Sequence, residues 1–185
     1  MDQLIGVRKS LITDSRGSSL KDTHAQSLRV IEADHSRIHE EVHYVVPDVQ
    51  NVATTTMKWM ITTPDSDIQM HMLFEIECTG EMLVLITQGA DRTGTTALSK
   101  MNRYLSSTRV SSASIHRGTS GGTTDGADVL YNKRVGATGP RSPGNIGRGN
   151  EFILKRNTKY VVSITTFADV YVSLNLDWYE YEDVD

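Results

Sequence analysis

Cysteine is all but missing from this chain. Cys78 stands alone, which excludes an internal disulfide framework and a zinc site built on thiolates. Long apolar runs are missing too: no stretch approaches the 18 residues of a membrane helix. Residues 1–10 carry no apolar segment of the kind a secretory leader needs. Basic charge is not in excess, since 19 Lys and Arg against 23 Asp and Glu leave a formal charge of −4. A general nucleic-acid binder is therefore not expected, and neither nucleic acid nor membrane is an expected partner. Collagen-like periodicity and sustained heptads are absent. Hydroxyl groups are abundant instead: 17 Ser and 20 Thr, a fifth of the 185 residues. With 38% hydrophobic and 23% charged residues, the composition is that of a globular chain rather than a disordered one. Its 20.5 kDa suits one domain, at most a domain with an arm.

Residues 1–27 are polar, and Arg8, Lys9, Ser10, Asp14, Ser15 and Arg16 offer little to bury. They read as an arm that orders against a neighbour. Leu28, Val30 and Ile31 suit a strand entry. Val42, Tyr44 and Val46 alternate with Glu41, His43 and Val45, and Pro47 is expected to end that run. Residues 54–62 are rich in Thr, Met and Trp, before a turn at Pro64-Asp65. The cleanest alternation is Ile68, Met70, Met72, Phe74 and Ile76 against Gln69, His71, Leu73, Glu75 and Glu77, a half-buried strand. Thr79-Gly80-Glu81 is a short turn before an apolar strand at 82–87, and the two strands are expected to pair as a hairpin. Residues 88–96 read as a loop, 101–105 and 109–116 as weaker strands, 118–126 as a loop and 128–135 as a strand. Residues 136–149, with five Gly and two Pro, form the strongest break. Strands follow at 151–155, 159–166 and 170–179, separated by turns at Asn157-Thr158 and Ala168-Asp169.

Roughly eight to ten strands with turn signals every 8 to 12 residues point to an antiparallel sandwich or barrel. We take the fold class as all-β: an antiparallel β-sandwich, jelly-roll-like, formed by residues 28–185 behind the arm of residues 1–27.

His39-Glu40-Glu41-Val42-His43 matches H-E-x-x-H, which on a helix holds zinc between two His with the Glu as general base. Val42, Tyr44, Val45 and Val46 favour a strand here. On a strand, residues four apart stand roughly 13 Å from one another and cannot share a metal. His35 extends the spacing to a stripe of three His. Gly89 to Thr96 superficially looks like a phosphate loop, but Thr95 stands where the Lys is required. Gly144, Gly147 and Gly149 lack the strand-loop-helix context of a dinucleotide fingerprint. Cys78 closes an apolar strand without a basic neighbour and reads as a buried, inert thiol. No G-x-S-x-G elbow is present, and Glu75 with Glu77 suits a solvated strand face. No catalytic residue, cofactor or metal is assigned.

Charge is segregated. Residues 129–160 hold seven bases, among them Lys133, Arg134, Arg141, Arg148 and Arg156, and one acid, Glu151; residues 169–185 hold six acids and no base. The two regions suit contact across a subunit interface, or both are simply solvated.

Residues 150–160 (NEFILKRNTKY) and 172–180 (VSLNLDWYE), with Ser27-Leu-Arg-Val-Ile-Glu-Ala-Asp-His35 leading to His39, His43 and Tyr44, and Met101-Asn102-Arg103 before Ser and Thr, resemble the head-decoration, or capsid cement, proteins of tailed bacteriophages. The likeness spreads over residues 27–181. It implies a β-rich virion protein, not an enzyme, that sits as a homotrimer on the outer capsid surface after assembly in the host cytoplasm. There it would bridge neighbouring major capsid protein subunits and stabilise the head. Polarity and loop character make Arg8, Lys9, Arg16, Arg141 and Arg148 the candidate capsid or subunit contacts. The alternatives are a tail- or fibre-associated glycan-binding module, for which Trp59, Trp178 or Tyr side chains would need to be exposed, and a zinc hydrolase at His39, Glu40 and His43.

Overall fold

Two strands with one apolar row each, residues 68–78 and 170–182, lie side by side at the heart of the molecule. A computed structural model describes residues 33–136, 144–146 and 151–182. The chain divides into a unit of residues 1–36, of which 33–36 are described, and a unit of residues 37–185. Helix α1 (Ala33–His39) precedes β1 (His43–Val52), β2 (Thr56–Thr62), β3 (Ile68–Cys78), β4 (Met82–Gln88), β5 (Thr93–Ala97), β6 (Met101–Asn102), β7 (Ser114–Ser120), β8 (Asp128–Val135), β9 (Gly144–Ile146), β10 (Glu151–Leu154), β11 (Lys159–Thr166) and β12 (Val170–Glu182).

The strands form two antiparallel sheets. The first has the order β10-β3-β12-β1-β6, with β9 also on β3; the second has the order β5-β7-β2-β11-β4-β8. Both β9 and β10 pair with β3, at its two ends. Taken as pieces of one edge strand, they complete a regular path. The chain alternates between sheets through β1, β2, β3 and β4, stays in the second for β8, and alternates again through β9/β10, β11 and β12. The neighbour orders β10-β3-β12-β1 and β2-β11-β4-β8 are jelly-roll connectivity. The all-β antiparallel sandwich read from the sequence is therefore the fold. Strands β5, β6 and β7 are an insertion between β4 and β8, which are themselves neighbours.

The core lies between the sheets. Met70, Met72, Phe74 and Ile76 of β3 and Leu174, Leu176 and Trp178 of β12 face Ile61, Val84, Ile86, Val162 and Ile164 of the second sheet. Each such side chain, fully buried, contributes on the order of 1.5–3 kcal/mol. The inward row of β3 is the one that the alternation marked.

Several local expectations are corrected. Strands β3 and β4 do not form a hairpin: β3 pairs with β12 and β4 with β11. Thr79-Gly80-Glu81 turns the corner between the sheets, and Gly80 is buried there. A Cβ on it would stand 2.8 Å from Val170 Cγ1. A short turn is compatible with either outcome, and the long C-terminal strands decide it. Pro47 does not end β1, which runs on to Val52. Strand β6 covers only Tyr44 and Val45, so Pro47 meets one strand partner, Asn175 of β12, and a missing N–H is tolerated on an edge. Residues 93–96, expected as loop, belong to β5, which pairs with β7. Strand β7 begins at Ser114 rather than at 109, and β9 lies inside the Gly/Pro stretch.

Strand β11 is buried on both faces: Val161 and Ser163 point away from the core yet are covered. Residues 121–127 leave β7 on one side of the second sheet and reach β8 on the other, so they cross β2, β11 and β4. Asp125 pins this strap. Its carboxylate takes Lys58 Nζ of β2 at 2.6 Å and Arg92 Nε, and its carbonyl accepts Thr87 Oγ1 of β4 at 2.6 Å. Gly126 fits at φ 110°, where an added Cβ would overlap the Gln88 carbonyl oxygen.

Candidate functional site

The H-E-x-x-H segment changes structure in its middle. His39 is the last residue of α1, Glu41 takes φ 61°, and His43 opens β1. The helix of the zinc reading thus holds His39 alone, and the strand of the other reading holds His43 alone. The two His share neither a helical face nor a strand face. His43 is buried, and its Nε2 is hydrogen-bonded to Asp177 Oδ1; Asp177, 1% exposed, also takes Arg103 Nη1 at 3.4 Å. Glu41 accepts Ser107 Oγ at 2.6 Å. Among the described residues no group of three or more His, Cys, Asp or Glu is placed to hold a metal ion.

His43 and Asp177 belong to a larger cluster on the outer face of the first sheet. Odd-numbered residues of β1, β3 and β12 point there, and the register places His71, Tyr179 and His43 in one row. Glu151 of β10 accepts hydrogen bonds from Tyr179 Oη and from His71 Nδ1, the latter at 2.8 Å. The His71 ring stacks on Tyr179 at 4.6 Å, and the Arg37 guanidinium sits 3.5 Å from the Tyr179 ring centroid. Burial pushes the Tyr179 phenol up, and its hydrogen bond to the Glu151 carboxylate pushes the same way. For Glu151, burial raises the pKa, but the hydrogen bonds from Tyr179 and His71 outweigh it and hold the carboxyl below its usual range. Ser114 Oγ meets His116 Nδ1 at 3.2 Å. The Ser–His contact and the two His–carboxylate contacts thus fall on three different histidines. The chemistry of the outer-face cluster is hydrogen bonding and ion pairing that fastens strands and the end of α1 together.

Two carboxylates close the ends of the core. Asp48 accepts Trp59 Nε1 at 2.7 Å, Gln50 Nε2 at 2.8 Å and Arg117 Nη1 at 3.0 Å, joining β1 to β2 and β7. Glu180 accepts Trp178 Nε1 at 3.1 Å, Ser111 Oγ at 2.5 Å, and both Ser112 Oγ and Ser112 N, at 2.9 and 3.2 Å. Both tryptophans are 0% exposed, so neither offers a face to a sugar ring.

Comparisons with known proteins found no matching family model, no matching curated protein and no matching solved structure.

The remaining sequence candidates fall as follows. Arg8, Lys9, Arg16, Arg141 and Arg148 lie outside the described residues, as do the arm of residues 1–27, Gly147 and Gly149. In the loop that looked like a phosphate site, Asp91 turns its carboxylate onto Thr123 and Thr124 of the strap. Its carboxylate accepts Thr123 N, Thr124 N and Thr123 Oγ1, and these bonds, Thr124 N first, lower its pKa to about 2. Cys78 is free and buried, and burial pushes its thiol up. The acid-rich C-terminus is largely strand, and Asp177 and Glu180 are buried with partners of their own. They do not face a neighbour. Arg134 pairs with Glu81 and Arg156 with Asp67, both at 2.5 Å.

One feature had no signal in the sequence reading. Residues 98–113 leave the second sheet, place β6 beside β1 and return as β7. They carry Met101, Tyr104, Leu105 and Val110 exposed. An apolar count along the chain marks such residues as core, and only their surroundings reveal that they are not.

Proposed function

We propose that this protein decorates the head of a tailed bacteriophage, binding the outer surface of the capsid as a homotrimer and bridging neighbouring major capsid protein subunits. The reading rests on the resemblance spread over residues 27–181. The structural observation that supports it is the commitment of the reactive side chains. His43, His71, Asp48, Asp177, Glu151 and Glu180 hold strands, helix end and insertion together, and four of the nine large apolar side chains exposed among the described residues lie on an inserted loop. A jelly roll cross-linked in this way is a rigid body. A cement role asks for rigidity, because it adds contact area across joints that are under outward load. An interface of roughly 1,000 Å² or more per copy, repeated over many copies, suffices for that.

Co-sedimentation with expanded capsids of the parent phage tests the proposal, together with native mass spectrometry of the free protein. Saturable binding at a fixed ratio to major capsid protein, with a metal-free trimer in solution or on the shell, is the expected result. Absence of binding to expanded capsids refutes it. A glycan-array signal would favour the tail or fibre module, and one zinc per chain with turnover lost in Glu40→Ala would favour the hydrolase.

A further inference from the structure

The strap of residues 121–127 crosses a face of the second sheet that in a sandwich is ordinarily polar and turned to water. Thr87, Val161 and Met60 stand in one row across β4, β11 and β2, and Leu85, Ser163 and Lys58 stand in the next. Val161 and Met60 point away from the core, yet they are 0% and 3% exposed. Asp125 bridges the two rows. Its carbonyl oxygen accepts Thr87 Oγ1 and its carboxylate accepts Lys58 Nζ, each at 2.6 Å. The strap therefore passes over β11 at Val161 and Ser163.

The cover is built unlike what it covers. Its sequence, Gly-Gly-Thr-Thr-Asp-Gly-Ala, holds no large apolar side chain. Closing it hides apolar surface of Met60 and Val161 and adds none of its own, so it removes roughly half the area that two apolar partners would. Gly121, Gly122 and Gly126 all take positive φ, and three glycines in seven residues make closing costly in chain entropy. Polar anchors offset that cost. Lys58 and Arg92 pair with Asp125 through partly exposed side chains. Thr123 N, Thr124 N and Thr123 Oγ1 donate to Asp91, and Asp91 N donates to Thr124 O at 3.3 Å. These anchors reach solvent, where salt screens charge, whereas the packing between the sheets is apolar and is not screened. We infer that residues 121–127 are a displaceable cover, which opens as a unit while the sandwich stays folded, is held shut chiefly by charge, and uncovers an apolar strip of Val161 and Met60. The inference goes beyond the decoration role and stands independently of it.

The chain carries its own probes. Met60 lies under the strap, Met70 and Met72 lie between the sheets, and Met101 is exposed. Oxidation of each by dilute hydrogen peroxide is mapped by peptide mass spectrometry, beside amide exchange of residues 121–127. Wild type is compared at about 0.05 M and about 1 M NaCl, and with Asp125→Asn at low salt. In wild type at low salt Met101 is expected to react first, Met60 next, and Met70 and Met72 last. High salt and Asp125→Asn are each expected to speed Met60 oxidation and strap exchange by about threefold to tenfold, with Met70 and Met72 unchanged. The wild-type salt series decides the matter even if Asp125→Asn fails to fold. A Met60 rate that ignores both salt and the substitution overturns the inference, because charge then does not hold the strap. So does acceleration of Met60, Met70 and Met72 together, which would mean that the strap opens only with the whole sandwich. A Met60 as reactive as Met101 in wild type at low salt overturns it as well, because the strap would then cover nothing.

Discussion

Replacing Glu180 by Ala should be among the most damaging single changes in the molecule, and the structure sets its size. The side chain is buried at the last core-facing position of β12 and gathers the Trp178 indole, the Ser111 and Ser112 hydroxyls and the Ser112 amide. Each bond to a charged acceptor is worth about 1.5–3 kcal/mol, but these share one carboxylate and do not add. Removing it leaves several buried donors without an acceptor. A buried donor left unsatisfied costs about 1–3 kcal/mol, and with several stranded together the loss comes to about 3–5 kcal/mol. Lys100 is affected as well. Burial lowers its pKa, and the Glu180 carboxylate works against that shift. Its Nζ donates to Ser111 O at 2.8 Å and to Ala113 O. A chain of this size loses roughly 2–4 °C in Tm per kcal/mol, so Glu180→Ala should melt roughly 10 °C lower. Because the lost bonds tie the insertion to the sandwich, hydrogen exchange should rise first at residues 103–113, before the core strands. Glu180→Gln keeps an acceptor and should lose about half as much. A loss in Glu180→Ala below about 1 kcal/mol, with exchange at 103–113 unchanged, would refute this account of the carboxylate.

Acid should weaken the fold through two carboxylates. Asp91 is held at about 2, against 3.8 in the unfolded chain, so its contribution is complete above the unfolded value and is lost as pH falls through the folded one. Glu151, also lowered, acts in the same direction. Urea titrations between pH 5 and pH 2 should show a shallower loss of stability in Asp91→Asn and in Glu151→Gln than in wild type. Gly126→Ala should cost about 2–4 kcal/mol, read as a shift in the urea midpoint, because the new Cβ meets the Gln88 carbonyl at a positive φ. Asp125→Asn should loosen the strap. Exchange at residues 121–127 should rise, most of all at low salt, where wild type is best held, and Val161 and Met60 beneath should stay protected only if the crossing survives. Trp59→Phe removes the donor to Asp48 and should cost about 1–3 kcal/mol, seen in thermal melts, while Arg117→Met should be partly redundant with it in a double-mutant cycle.

The alternation of Met70, Met72, Phe74 and Ile76, and of Val172, Leu174, Leu176 and Trp178, was legible because a half-buried strand repeats every two residues. It located the inner faces of β3 and β12 and, with the turn spacing, the sandwich. Other features were not legible. Asp48 follows the Pro47 at which the strand was expected to end, yet it faces inward and receives Trp59. Glu180 looked like one of a run of tail acids, yet it closes the core. Gln50 and Trp178 are neighbours in the chain, but the other partners come from the next strand, as Trp59 does, or from the insertion, as Arg117, Ser111 and Ser112 do.

Local pattern, then, determined what lies within reach of a few residues: strand positions, buried rows, turns, and the fact that Cys78 belongs to an interior. Tertiary structure alone decided the rest. It sent β3 to β12 instead of to β4, carried β1 past Pro47 at a sheet edge, split His39 from His43, and turned Leu105 and Val110 outward. The physical reason is that strand partners and buried charges are chosen by contacts between residues far apart in the chain. Their free energy is set by what else is desolvated beside them, and no window of neighbouring residues contains that information.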